Sequence, residues 1–225
     1  MIINHSVRIG DHGIGRDQAL QLLQDYAVEH ADTVRIYDLG GNLEGRPGPG
    51  GAAEPVSAVS LADIGRLVVI NADLAAADVA TLIDVDAATE FTAIPPTARL
   101  EQCELDSDLY QAATALYEKY RLPPGSNIGP AKRSKLLHLK RPWLVPIADT
   151  RVISVYRHRA DDWAAKLGTP SGHWEAVRED LNAATDDLEW LTATLSDHQQ
   201  QEVRLLGRLT SLRLLDILAW MIGYS

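Results

Sequence analysis

The chain has 225 residues, 46% of them hydrophobic and 23% charged, with a net charge of −10 and one cysteine. That is ample for a core in one large domain or two small ones, and a single Cys103 rules out a disulfide framework and points to a reducing cytoplasm. An acidic balance argues against a simple nucleic-acid binder, and the longest apolar-rich run, Leu212 to Ile222, is broken by Arg213 and Asp216 and falls far short of the about 20 residues a membrane span needs.

In chain order, residues 16 to 30 read as a helix, with Ala19, Leu22, Leu23, Tyr26 and Ala27 on one face. Val34 to Leu39 reads as a short strand ending at Gly40-Gly41, and Gly45 to Pro55 as an exposed loop. From Ser60 to Asp84 the apolar period is helical, with Ser60 and Asp63 spaced as a capping box and a break near Asp73. Pro95-Pro96 closes the next segment. Leu109, Ala112, Ala113, Leu116 and Tyr120 mark a helix stopped by Pro123-Pro124, and Pro130 suits the first turn of a second helix reaching Lys140. Another helix runs from Thr150 to about Leu167, closed by Gly168 and Pro170. Ser171 is placed to cap a helix with Trp174, Val177 and Leu181 inward, and helical segments follow near 198–206 and 212–222. There is no internal repeat and no βαβ alternation. The expected class is mainly α: a compact helical bundle forming a single domain over 1–225, with a helix-hairpin-helix at about 107–141 and one short strand or hairpin near the N-terminus.

The stretch from Leu122 to Arg157 carries the functional signal. A Pro- and Gly-rich turn, Leu122 to Gly129, opens a basic helix, and a helix start behind glycine offers backbone N–H groups to a phosphate. Between Pro130 and Ala160 stand Lys132, Arg133, Lys135, Lys140, Arg141, Arg151, Arg157 and Arg159 against one acid, Asp149, which reads as a basic face on an acidic body. Asp149 sits among apolar residues, where a carboxylate needs a reason: either catalysis or N-capping of the helix at Thr150.

This stretch resembles the helix-hairpin-helix DNA glycosylases, the superfamily of endonuclease III and the adenine and alkylpurine glycosylases. In that family a hairpin ending in Gly-hydrophobic-Gly leads into a helix, and the catalytic Asp follows about twenty residues after the last Gly, often with Thr behind it. Here Gly129 and Asp149 are 20 apart, Thr150 follows, and Pro146 precedes. Lys135-Leu-Leu-His-Leu-Lys-Arg-Pro142 matches the Lys-Leu-Leu-x-x-Lys-Arg-Pro form of a bacterial domain-of-unknown-function branch that the whole chain resembles more closely.

The resemblance implies a DNA glycosylase with Asp149 as the catalytic carboxylate. It implies phosphate contacts from the hairpin at Gly125, Ile128 and Gly129, extended by Lys132, Arg133, Lys135 and Arg151. A flipped base would be met by a pocket or wedge drawn from Asn71, Asp73, Trp143 and Tyr156; for Asn71 and Asp73 a helix end with two capping polar residues is the competing reading. The hairpin departs from the family's five residues, since Leu122 to Gly129 is eight. Ala131 stands where bifunctional members carry lysine, so no Schiff base and no strand-cleaving lyase step are expected. The four thiolates of an iron–sulfur cluster are missing, and the seven His residues form no metal-binding pair, so no cofactor or metal is expected.

Two readings therefore stand beside a monofunctional glycosylase acting in base excision repair or in defence against modified foreign DNA. One is a non-catalytic helix-hairpin-helix DNA-binding protein. The other is an interaction module whose basic face meets an acidic protein. Asp216, on an otherwise apolar helix, is expected to pair with an arginine and fasten the C-terminal segment.

Overall fold

A computed structural model describes residues 6–40, 58–70, 72–122, 126–167 and 172–223. Within them the protein is mainly α, with one antiparallel hairpin at the N-terminus. Strands β1 (Ser6–Ile9) and β2 (His12–Gly15) pair with Val7 opposite Ile14. The turn needs Gly10, whose φ of 59° is left-handed. The strand expected at Val34 to Leu39 is instead part of a π-helical turn, Thr33–Asp38. Val34 and Tyr37 are buried there and Ile36 is exposed, a helical spacing that a short apolar run does not distinguish from alternation. The Gly45 to Pro55 loop lies outside the described residues.

The helices are α1 (Arg16–Glu29), α2 (Leu61–Val68), α3 (Ala76–Asp84), α4 (Ala88–Ala93), α5 (Asp108–Lys119), α6 (Pro130–Lys140), α7 (Thr150–Leu167), α8 (Gly172–Ala183), α9 (Thr185–Ser196), α10 (Gln201–Leu206) and α11 (Ser211–Ile222). Most fall where the periodicity places them. Helix α9 was not expected, although Leu188, Leu191 and Leu195 line its buried face at helical spacing. The chain divides into two compact units, a terminal one of residues 1–34 with 150–225 and a central one of residues 35–149.

In the terminal unit the N-terminal hairpin is held by a buried acid on α8. Asp180 is fully buried and accepts from the Gly10 N–H at 2.7 Å, from Arg8 Nε at 2.6 Å and from Arg159. Without those donors a carboxylate there would be prohibitive. A Cβ on Gly10 would collide with the Val155 carbonyl of α7, and one on Gly172 with that of Ala160, so both glycines set close packing. Helix α11 is capped by Thr210, which accepts from Arg213 N–H at 3.0 Å, and Arg213 donates to Tyr26 Oη at 3.1 Å.

In the central unit the capping box at the start of α2 forms as its spacing predicts. Ser60 Oγ accepts from Asp63 N–H, and Asp63 accepts from Ser60 N–H at 2.8 Å. Asp63 also pairs with Lys140 of α6 at 2.6 Å, both side chains buried. Next to it Arg141, 1% exposed, donates to the Phe91 and Ile94 carbonyls at the end of α4 and to the Lys140 carbonyl. Burial pulls its guanidinium down to about 10. Arg141 thus closes the C-terminal carbonyls of a helix only six residues long, which cannot stand alone.

Replacing Arg141 with Met orphans the Ile94 carbonyl and strips a donor from those of Phe91 and Lys140. Each buried unsatisfied group costs about 1–3 kcal/mol, so a loss of about 3 kcal/mol or more in urea unfolding is expected. A loss under about 1 kcal/mol would mean that the clamp is not what holds α4.

Candidate functional site

Three side chains on one side of α6 organise the site. After Arg141 the chain turns, with the Leu144 and Val145 N–H groups donating to the Arg141 carbonyl at 3.0 Å, and then runs back along the helix. His138 Nδ1 donates to the Val145 carbonyl at 2.8 Å. Ser134 Oγ accepts from the Ala148 N–H at 2.9 Å, with both groups buried. Lys135 Nζ then reaches Asp149 Oδ2 at 3.5 Å. As the return segment advances from 145 to 148 its partner on α6 moves back from His138 to Ser134, and Asp149 ends beside Lys135 of that helix. Helix α6 is itself anchored: buried Tyr37 donates from Oη to the Lys135 carbonyl at 2.7 Å, and Arg66 of α2 donates from Nε to the Tyr37 carbonyl at 2.9 Å.

Asp149 and Lys135 are 13% and 19% exposed, so the pair is neither sealed in the core nor fully in water. Asp149 also stands immediately before Thr150, the first residue of α7, which is the N-cap position. Both sequence readings of this carboxylate are therefore compatible with where it lies.

The start of α6 is bare. Gly129 is its N-cap with Pro130 in the first turn; no side chain caps it and no acid lies there. Gly129 is extended, at φ −80° and ψ −178°, and a Cβ would meet nothing within 4 Å. Neither conformation nor packing among the described residues demands a glycine there. Beside it lies the 72–75 connection: Lys132 Nζ and Asn127 Nδ2, the latter at 3.3 Å, both donate to the Asp73 carbonyl.

A family model matches residues 19–223. The chain belongs to the family of unknown function DUF6308. No curated protein and no solved structure matches it. In this DUF6308 chain the segment Lys135 to Pro142 works first as scaffold, since His138, Lys140 and Arg141 are all spent on internal bonds.

Several expected contacts change accordingly. Gly125 and Asn71 lie outside the described residues. Ile128 is buried and its N–H is taken by Ser126 Oγ at 3.0 Å, while Ser126 donates to Asp78 at 2.9 Å, so that amide does not face a phosphate. Arg133 is buried, its guanidinium 3.9 Å from the centre of the Tyr117 ring and 3.6 Å from Glu118, where it joins α6 to α5 rather than facing solvent. Tyr156 is buried in the terminal unit against His173, and burial raises its hydroxyl pKa, with Asp180 and Asp216 adding to the rise; it is core, not an open stacking face. Trp143 is half-buried and carries Arg99 over its ring at 4.0 Å. Asp73 is exposed between α2 and α3 and is the N-cap of neither. Arg151 stands over Trp220 at 4.3 Å.

The basic window is thus not a basic face. Arg133, Lys140 and Arg141 are buried in the central unit, and Arg159 is spent on Asp180 and Glu179 in the terminal one. A charge count along the sequence cannot see partners that arrive from elsewhere in the fold. Sequence reasoning missed Ser134, His138 and Tyr37; the only hint was a serine inside a helix, where it is a weak former. Among the described residues no group of three His, Cys, Asp or Glu is placed to hold a metal, and no helix is long and apolar enough to cross a membrane.

Substituting Ala for Ser134 leaves the Ala148 N–H buried without its acceptor. An expected cost of about 1–3 kcal/mol should appear with faster amide hydrogen exchange confined to residues 145–149. Unchanged exchange there would show that the return segment is held without this bond.

Proposed function

We propose that this protein hydrolyses the N-glycosidic bond of a damaged or modified base in DNA, leaving an abasic site, with Asp149 as the catalytic carboxylate and no lyase step. The reading is carried by one observation: Asp149 sits on a segment bonded turn by turn to α6, the helix whose uncapped start suits a phosphate.

The chemistry is that of a departing base. As the bond breaks, positive charge grows on the sugar, and a fixed carboxylate stabilises it more than it stabilises the neutral substrate. The same oxygens can orient or deprotonate the attacking water. A base within a duplex must first be flipped out. Phosphate gripped at Gly129 and Lys132 would hold the strand while this happens, and the ammonium of Lys135 would leave Asp149 for a phosphate oxygen. Repair of the host genome and defence against modified foreign DNA are both served by this chemistry.

A second reading, a DNA-binding protein without turnover, is favoured by Lys135 itself. An ammonium 3.5 Å from the carboxylate offsets the charge a cationic sugar would need.

The test is base release from duplex and single-stranded DNAs carrying uracil, alkylated, oxidised or bulky modified bases, scored as alkali-dependent strand breaks. Wild type is expected to release one class of base, and Asp149→Asn to lose at least about a hundredfold in rate. Equal rates in the two proteins would end the catalytic role of Asp149, and salt-sensitive binding with no release would favour the second reading. Lys132→Ala is expected to weaken binding alike for all sequences and to flatten its salt dependence by about one phosphate contact.

A further inference from the structure

We infer that the outer face of α7, formed by Thr150, Ser154, Arg157 and His158, is a second contact surface for the DNA phosphate backbone. The inference rests on the DNA-directed reading above and adds to it a surface in the terminal unit. Thr150, Ser154, Arg157 and His158 are all exposed and fall at i, i+4, i+7 and i+8, while Val152, Val155 and Tyr156 turn inward. No acid interrupts this row until Asp161, and none lies in the first turn of the helix. Elsewhere in the unit α1 exposes Asp17, Asp25 and Glu29, and α9 exposes Asp186 and Glu189.

Arg157 is the decisive residue. Among the Lys and Arg whose side chains are described, every other one is held by an acid, a carbonyl, a hydroxyl or an aromatic ring of the fold. Among the described residues Arg157 has no such partner. In a chain of net charge −10, with acids to spare, a solvated arginine beside an exposed imidazole offers donors that phosphate oxygens accept, while the neighbouring Ser154 hydroxyl donates to the Arg151 carbonyl at 2.6 Å. Contacts to phosphate carry no base identity, so the contribution of this surface should be independent of sequence.

The experiment measures binding of the full chain to a fluorescent duplex oligonucleotide of arbitrary sequence at several salt concentrations. Arg157→Gln should lower the slope of log affinity against log salt by about one, and Arg157→Glu should weaken binding by about fivefold or more. Arg204→Gln, at an exposed position on α10 in the same unit, makes the same charge change elsewhere and should leave the slope nearly as it was. Wild-type binding with both Arg157 variants unchanged would overturn the α7 surface while leaving the proposed function standing. Equal losses for Arg157→Gln and Arg204→Gln would overturn it too, by showing an effect of net charge alone. No wild-type binding at low salt would sink both readings together.

Discussion

Asp149 is where it is because the chain cannot leave α6 freely. Arg141 ends the helix and is locked onto the carbonyls of α4, so the following residues must turn back along the surface they have just made. His138 and Ser134 then take up the backbone groups that this return exposes. Each bond is ordinary in strength, about 1 kcal/mol net. Their effect is geometric: they remove the freedom of the segment that carries Asp149. The role proposed for Asp149 requires a group held by neighbours that are themselves fixed, and these bonds hold the segment that carries it.

The same economy explains where the charge goes. A chain with ten more acids than bases has no shortage of partners for arginine and lysine. Lys140 reaches Asp63, Arg159 reaches Glu179 and Asp180, and Arg133 covers Tyr117. Buried ion pairs like these add little net stability against a well-packed apolar core, yet breaking one leaves a charge stranded. They fix which helix meets which. On the proposed reading, the described residues that would meet a polyanion are few: the bare start of α6 with Lys132, Lys135 once released from Asp149, and the outer face of α7.

The elements were legible in the sequence where their causes are local. The Ser60–Asp63 capping box, Pro130 in the first turn of α6 and the apolar period of α5 each act within one or two turns of helix, and each appears as expected. The site was half legible. The spacing from Gly129 to Asp149 pointed to a hairpin helix and a carboxylate, and the structure sets that carboxylate beside that helix. The supports were not legible, because Arg141 acts on carbonyls 47 and 50 residues upstream and Ser134 on an amide 14 residues ahead. The basic window misled for the same reason: its partners lie far away along the chain.

The central claim is that Asp149 stabilises positive charge on a sugar held against α6. The most direct measurement compares binding of two duplexes that differ at one position, a neutral abasic-site analogue in one and a cationic pyrrolidine analogue of the charged sugar in the other. This needs no knowledge of the base. Transition-state mimics bind at least about a hundredfold more tightly than substrates where the charge is recognised. The account predicts tighter binding of the cationic duplex by wild type and loss of that preference in Asp149→Asn. Equal affinity of wild type for the two duplexes would contradict it.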